Sequence, residues 1–67
     1  MAYSDIGYYL LKSHKIDEAI IWLEEAILQN DFVGKFFAYF NLGKAYEQKG
    51  LWQNAILMYK NSIKLKP

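Results

Sequence analysis

The sequence predicts an all-α fold: two antiparallel helix–turn–helix pairs stacked as a short α-solenoid, with no strands. Three observations predict it. First, the chain falls on itself when shifted by 36 residues: Tyr3, Ile6, Gly7, Leu10, Ala19, Leu23 and Ala26 land on Tyr39, Leu42, Gly43, Tyr46, Ala55, Tyr59 and Ser62, while Ile16, Ile20 and Ile27 land on Trp52, Ile56 and Ile63. A period between about 20 and 50 residues marks architectures in which one supersecondary unit stacks on the next. Second, the apolar spacing is helical throughout, and period-2 alternation of useful length is missing. Third, short breaks at Ser13-His14-Lys15, Asn30-Asp31 and Gly50 cut the chain into four segments. Connections of about three to five residues force consecutive helices to run antiparallel.

Each segment has its own justification. Tyr3, Ile6, Gly7 and Leu10 form an i, i+3, i+4, i+7 stripe that ends at the first break. The second stripe runs Ile16, Ala19, Ile20, Leu23, Ala26, Ile27 and opens with Asp17 and Glu18, carboxylates that suit the positive end of a helix dipole. Asn30-Asp31 closes it with turn-forming residues. The third helix carries Phe36, Tyr39, Leu42, Gly43 and Tyr46 and should stop at Gly50, a natural C-terminal cap residue. The fourth carries Trp52, Ala55, Ile56, Tyr59, Ser62 and Ile63, with Lys60, Lys64 and Lys66 near its negative end. His14 falls where Gly50 falls in the second unit, so a left-handed turn residue is expected there; histidine tolerates that backbone better than most.

Glycine inside a helical stripe costs roughly 1 kcal/mol against alanine. Gly7 and Gly43 therefore predict close approach of a neighbouring helix, with Ala19 and Ala55 as the matching small residues and Tyr46 and Tyr59 filling the wedge beside the contact. The chain divides into repeat one (1–31), a junction (32–35) and repeat two (36–67) within a single domain, 1–67. At 67 residues, 54% hydrophobic and 18% aromatic, it carries more apolar surface than so small a core readily hides. The absence of cysteine rules out disulfide staples and thiolate metal sites.

Helix pairs of this pattern resemble the tetratricopeptide repeat, whose outline is W-x2-L-G-x2-Y, then A-x3-F, then P. The second unit follows it with Tyr39, Leu42, Gly43, Tyr46, Ala55, Tyr59 and Pro67; the first follows more loosely with Tyr3, Ile6, Gly7, Leu10, Ala19 and Leu23, and Asp31 where the proline falls. The resemblance implies a right-handed superhelical stack that presents a concave surface to a protein or peptide partner, performs no catalysis and needs no cofactor. Two departures stand out. The period is 36 rather than about 34, which places two extra residues at 32–35, either as a longer loop or as extended helices. There are two units and no polar capping helix, where about three are usual, and the chain ends at Pro67 on a repeat boundary.

In the family the first helix of each pair lines the groove. The resemblance thus points to the residues of these helices off the glycine stripe: Tyr8, Leu11 and Lys12 with Phe37, Phe40, Asn41 and Lys44, flanked by Ser4, Asp5, Glu47 and Gln48. Phe37 and Phe40 are the sharpest candidates, because rings off the packing stripe have no evident structural duty and buried aromatics often dominate binding energies. Asn41 and Lys44 also stand where one subfamily clamps a terminal carboxylate, but Tyr8 and Ser4 occupy places where that clamp wants asparagine and lysine. The alternative function is self-assembly, with Trp52, Ile56 and Ile63 on the outer face of the fourth helix packing on a second copy as a homo-oligomer.

Other chemistry finds little support. His14 is the only histidine, and Glu24 and Glu25 point about 100° apart on a helix, so neither a histidine metal cluster nor a carboxylate pair forms. Phosphate-cradling glycine motifs and nucleophile elbows are missing. Nucleic acid is not expected as a partner, since the chain has no arginine to read guanine. Nor is a membrane, because the longest apolar runs fall far short of the roughly 18 residues a span requires. A cytoplasmic location is the expectation. Net charge is +1, unevenly spread. Residues 1–35 hold three lysines against six carboxylates, and residues 36–67 hold five lysines against one.

Overall fold

The computed structural model describes residues 3–29 and 32–65. Four helices follow one another: α1 (Tyr3–Lys12), α2 (Ile16–Gln29), α3 (Phe32–Gln48) and α4 (Trp52–Lys64). All-helical structure is what the periodicity predicts, and among the described residues there are no strands. The Asn30-Asp31 turn and the terminal Pro67 lie outside the described residues, as do the side chains of Tyr3 and Ser4. Residues 32–35 are the first turn of α3, so of the two places for the extra residues the helix takes them and the loop does not.

The two turns inside the pairs are built alike. His14 has φ 62° and Gly50 has φ 77°, the left-handed conformation that the 36-residue correspondence predicts at both. Each follows a helix closed by the same pair of hydrogen bonds. The His14 N–H donates to the Leu11 carbonyl (3.1 Å) and the Lys15 N–H to the Leu10 carbonyl (2.9 Å); the Gly50 N–H donates to Glu47 (3.0 Å) and the Leu51 N–H to Tyr46 (2.9 Å). These 5→2 and 6→1 bonds satisfy the last helical carbonyls. Glycine adopts this backbone without strain, whereas a residue with a Cβ bears about 1–2 kcal/mol. His14→Gly is therefore expected to stabilise the chain by about 0.5–1 kcal/mol, since glycine returns part of the gain as unfolded-state entropy. Gly50→Ala is expected to destabilise it by about 1–2 kcal/mol. Urea unfolding midpoints with unchanged slope check both.

The two stripe glycines hold the pairs together. A Cβ on Gly7 would lie 2.5 Å from Leu23 Cγ and 2.6 Å from its Cδ2; a Cβ on Gly43 would lie 2.6 to 2.8 Å from three ring atoms of Tyr59. Close approach is thus real, and at both positions a side chain of the following helix comes nearest, with the Ala19 carbonyl next at 3.4 Å from the Gly7 position. Leu23 and Tyr59 are counterparts in the repeat, so one device is used twice. Ala19, Leu23 and Ala26 are buried on α2, and Ala55 and Ser62 at matching places on α4. The Ser62 hydroxyl donates to the Phe36 carbonyl at 3.1 Å and ties α4 to the start of α3.

Helix α3 is the centre of the molecule and packs on all three others. It therefore needs two apolar faces. The stripe through Gly43 meets α4, and Ala38, Leu42 and Ala45 form a second, fully buried row. Leu42 and Ala45 join Leu11, Ala19 and Leu23 in the core, with Ile16, Ile20, Ile27 and Tyr46 packed around it. Small residues at 38 and 45 let helices come close, which the single-stripe reading of α3 misses. Across the same seam Lys49 pairs with Asp17, joining the end of α3 to the start of α2. Both groups are substantially exposed, so this ion pair positions more than it stabilises.

Candidate binding groove

Helices α1 and α3 run side by side in the same direction, and the furrow between them collects the residues that the sequence marks. Asp5, Tyr8, Phe37, Phe40, Asn41 and Lys44 line a depression of about 380 Å³. Tyr8 and Lys44 also line the next one, about 120 Å³, with Leu11, Lys12 and Gln48. All seven candidate groove residues thus border one or other of two adjoining depressions, which share Tyr8 and Lys44. A third depression, of about 410 Å³, continues from Lys44 past Glu47 and Gln48 to Trp52.

Leu11 borders the furrow from the core side. It is only 5% exposed and belongs to the core, one turn beyond Gly7 on the packing face of α1. Its neighbour Leu10, expected in the core, is only partly buried. The stripe of α1 therefore turns through Gly7 and Leu11, and Leu11 forms a wall rather than an open contact. Asn41 is buried as well, at 8% exposure, with its edge on the furrow. Trp52, assigned from sequence to the self-association face, also reaches the end of the furrow; only the way α4 folds back beside Lys44 could reveal this.

Phe37 and Phe40 remain 51% and 40% exposed, a large apolar area to leave in water. Each is held by a neighbouring ring. Phe37 meets Phe36 edge-on at 5.2 Å, and Phe40 meets Tyr59 at 5.8 Å with planes tilted 56°. Tyr59 is itself fixed, since its hydroxyl donates to Glu47 Oε1 at 2.7 Å. Burial first, and the Glu47 bond second, push its phenol up to about 12, so it stays a neutral donor at physiological pH. The rings are therefore presented on a supported wall.

Charge grades along the furrow. Asp5 marks the end where α1 and α3 begin, Lys12 and Lys44 lie further along, and Glu47, which accepts the Tyr59 hydroxyl bond, follows beyond Lys44. Lys44 Nζ sits 5.0 Å from the centre of the Phe40 ring and Lys12 Nζ 5.5 Å from that of Tyr8, distances at which a cation is attracted to a ring face. The arrangement offers apolar contact at Phe37 and Phe40, an acidic group where the helices begin and two cations further along, before Glu47. Among the described residues there is no group of three side chains able to hold a metal ion, and no helix is long and apolar enough to cross a membrane.

The family model of the tetratricopeptide repeat matches residues 38–67. Comparisons with curated proteins and with solved structures give no significant match. The matched segment contains Tyr39, Leu42, Gly43, Tyr46, Ala55, Tyr59 and Pro67, the residues of the second unit that carry the sequence resemblance. Repeats of this family are in general protein–protein interaction modules that carry out no catalysis. Residues 38–67 thus match the tetratricopeptide repeat, and the four helices among the described residues are consistent with two such repeats in tandem.

Proposed function

We propose that this chain is a non-enzymatic interaction module that takes a segment of a partner protein in the furrow between α1 and α3. The observation that carries the reading is the exposure of Phe37 and Phe40 on a furrow wall that a packed ring pair and the Tyr59–Glu47 bond hold in place. Aromatic side chains in a concave site supply contact area at little entropic cost and often dominate affinity. The partner segment that fits carries bulky apolar side chains over the rings. Its acidic group lies toward Lys12 and Lys44, and a basic one toward Asp5.

The test is a peptide-display selection on the wild-type chain, followed by calorimetric titration of the selected peptides. Phe37→Ala and Phe40→Ala are each expected to weaken binding by about tenfold or more, near 1.4 kcal/mol or above. Phe37→Ala is the cleaner variant, because Phe40 also supports Tyr59. Peptides whose affinity survives both substitutions contradict the reading.

A further inference from the structure

The outer face of α4 repeats, uncovered, a surface that the chain covers elsewhere. On α2, Ile16, Ile20 and Ile27 are partly buried against a core that includes Leu42 and Ala45 of α3. Their counterparts 36 residues later, Trp52, Ile56 and Ile63, are 60%, 53% and 68% exposed. The same side-chain pattern therefore has a helix laid over it in the first repeat and, among the described residues, nothing over it in the second. Three large apolar residues in one row on one helix form a patch of the kind that marks an interaction surface.

We propose that a second copy of this chain covers the row: its α1 docks on α4 head to tail, in the way that α3 docks on α2 within the chain. Helix α1 is the 36-residue counterpart of α3, with Ile6 where α3 has Leu42 and Asp5 where it has Asn41. The charges fit this order. Residues 1–35 carry net −3 and residues 36–67 net +4, so head-to-tail contact brings opposite halves together. A symmetric α4-to-α4 contact would instead join two basic halves, with Lys60 and Lys64 beside the row on each side. Such complementarity steers encounter and rejects the wrong orientation.

The junction is not an identical copy of the internal one. Tyr9, exposed on α1, takes the place of the fully buried Ala45, and Trp52 takes that of Ile16. Helix separation follows the side chains at the contact, so this seam is wider than the internal one and aromatic. A head-to-tail contact leaves a free α4 at one end and a free α1 at the other, so association continues past two copies. It also carries the furrow onward: the incoming α1 sets Tyr8 beside the Asn41–Lys44 side of α3.

Sedimentation of the full chain from low micromolar to millimolar concentration tests the proposal. The mean mass is expected to rise past that of a dimer and to fall again in high salt, as screening weakens the complementarity. Ile63→Glu spoils the α4 face and Tyr9→Lys spoils the α1 face, each by setting like charge across the seam. Both residues are exposed, so helical circular dichroism should be unchanged. Each variant alone is expected to stay monomeric, and their equimolar mixture to form a dimer and stop, because each supplies one intact face. A wild-type chain that is monomeric throughout overturns the proposal. So does a dimer that Tyr9→Lys leaves intact and that the mixture fails to restore.

Discussion

Replacing Leu42 with alanine is expected to lower the free energy of unfolding by about 2–5 kcal/mol, the range for deleting a buried leucine side chain. Leu42 is 1% exposed and, among the described residues, is one of the two largest fully buried side chains. It belongs to the cluster that joins the two helix pairs. Total stability for a chain of this length is of order 3–10 kcal/mol at the usual 0.05–0.15 kcal/mol per residue. The substitution therefore removes a large share of it. A thermal transition followed by circular dichroism should fall by about 10 °C or more, at roughly 4–8 °C per kcal/mol, or vanish. Leu57→Ala, on the exposed side of α4, should stay within about 0.5 kcal/mol of the parent. Equal effects at the two sites would mean that α3 does not bridge the pairs.

Gly43→Ala is expected to destabilise the chain although alanine is the better helix former by about 1 kcal/mol. The added methyl would meet the Tyr59 ring at 2.6 to 2.8 Å, and overpacking of this kind costs about 1–3 kcal/mol. The sign depends on the ring. In a Tyr59→Ala background the clash is gone, and Gly43→Ala should then stabilise by about 1 kcal/mol. Denaturant unfolding of the four chains closes a double-mutant cycle whose coupling isolates this contact. Additive effects would show that Tyr59 does not pack over Gly43. Gly7→Ala against Leu23 repeats the experiment in the first unit.

The residues that made the fold legible are those whose cost has a single explanation. Glycine within a helical stripe is expensive unless something fills its space, and Gly7 and Gly43 meet Leu23 and Tyr59. Likewise His14 aligned with Gly50, and both have positive φ. What periodicity hid was α3's second buried row. Ala38 and Ala45 add little to any hydrophobic pattern, yet they are fully buried because a helix in the middle of a stack packs on both sides. The fate of residues 32–35 was also open in the sequence, since Phe32-Val33-Gly34-Lys35 carries neither a capping residue nor a proline to decide between loop and helix.

The furrow was legible for the same reason that Leu11 was not. Helical spacing places Tyr8, Lys12, Phe37, Phe40, Asn41 and Lys44 on one side of two parallel helices, and the structure brings these side chains together. Leu11 lies only about 40° round α1 from Gly7 by the same spacing, so whether it faced the groove or the core turned on the tilt of α1 against α2. That tilt is a property of packing. Nor could the sequence indicate that Lys12 and Lys44 lean over Tyr8 and Phe40, because rotamers decide it.

The proposed partner segment lies between α1 and α3, over Phe37 and Phe40. Backbone-amide NMR of the labelled chain, titrated with a peptide selected against it, tests this most directly. The largest shift changes should fall on Tyr8, Lys12, Phe37, Phe40, Asn41 and Lys44, with Ile21 and Leu28 on the outside of α2 unmoved. Shift changes confined to the outside of α2 or to α4, with the α1 and α3 signals still in place, would contradict it.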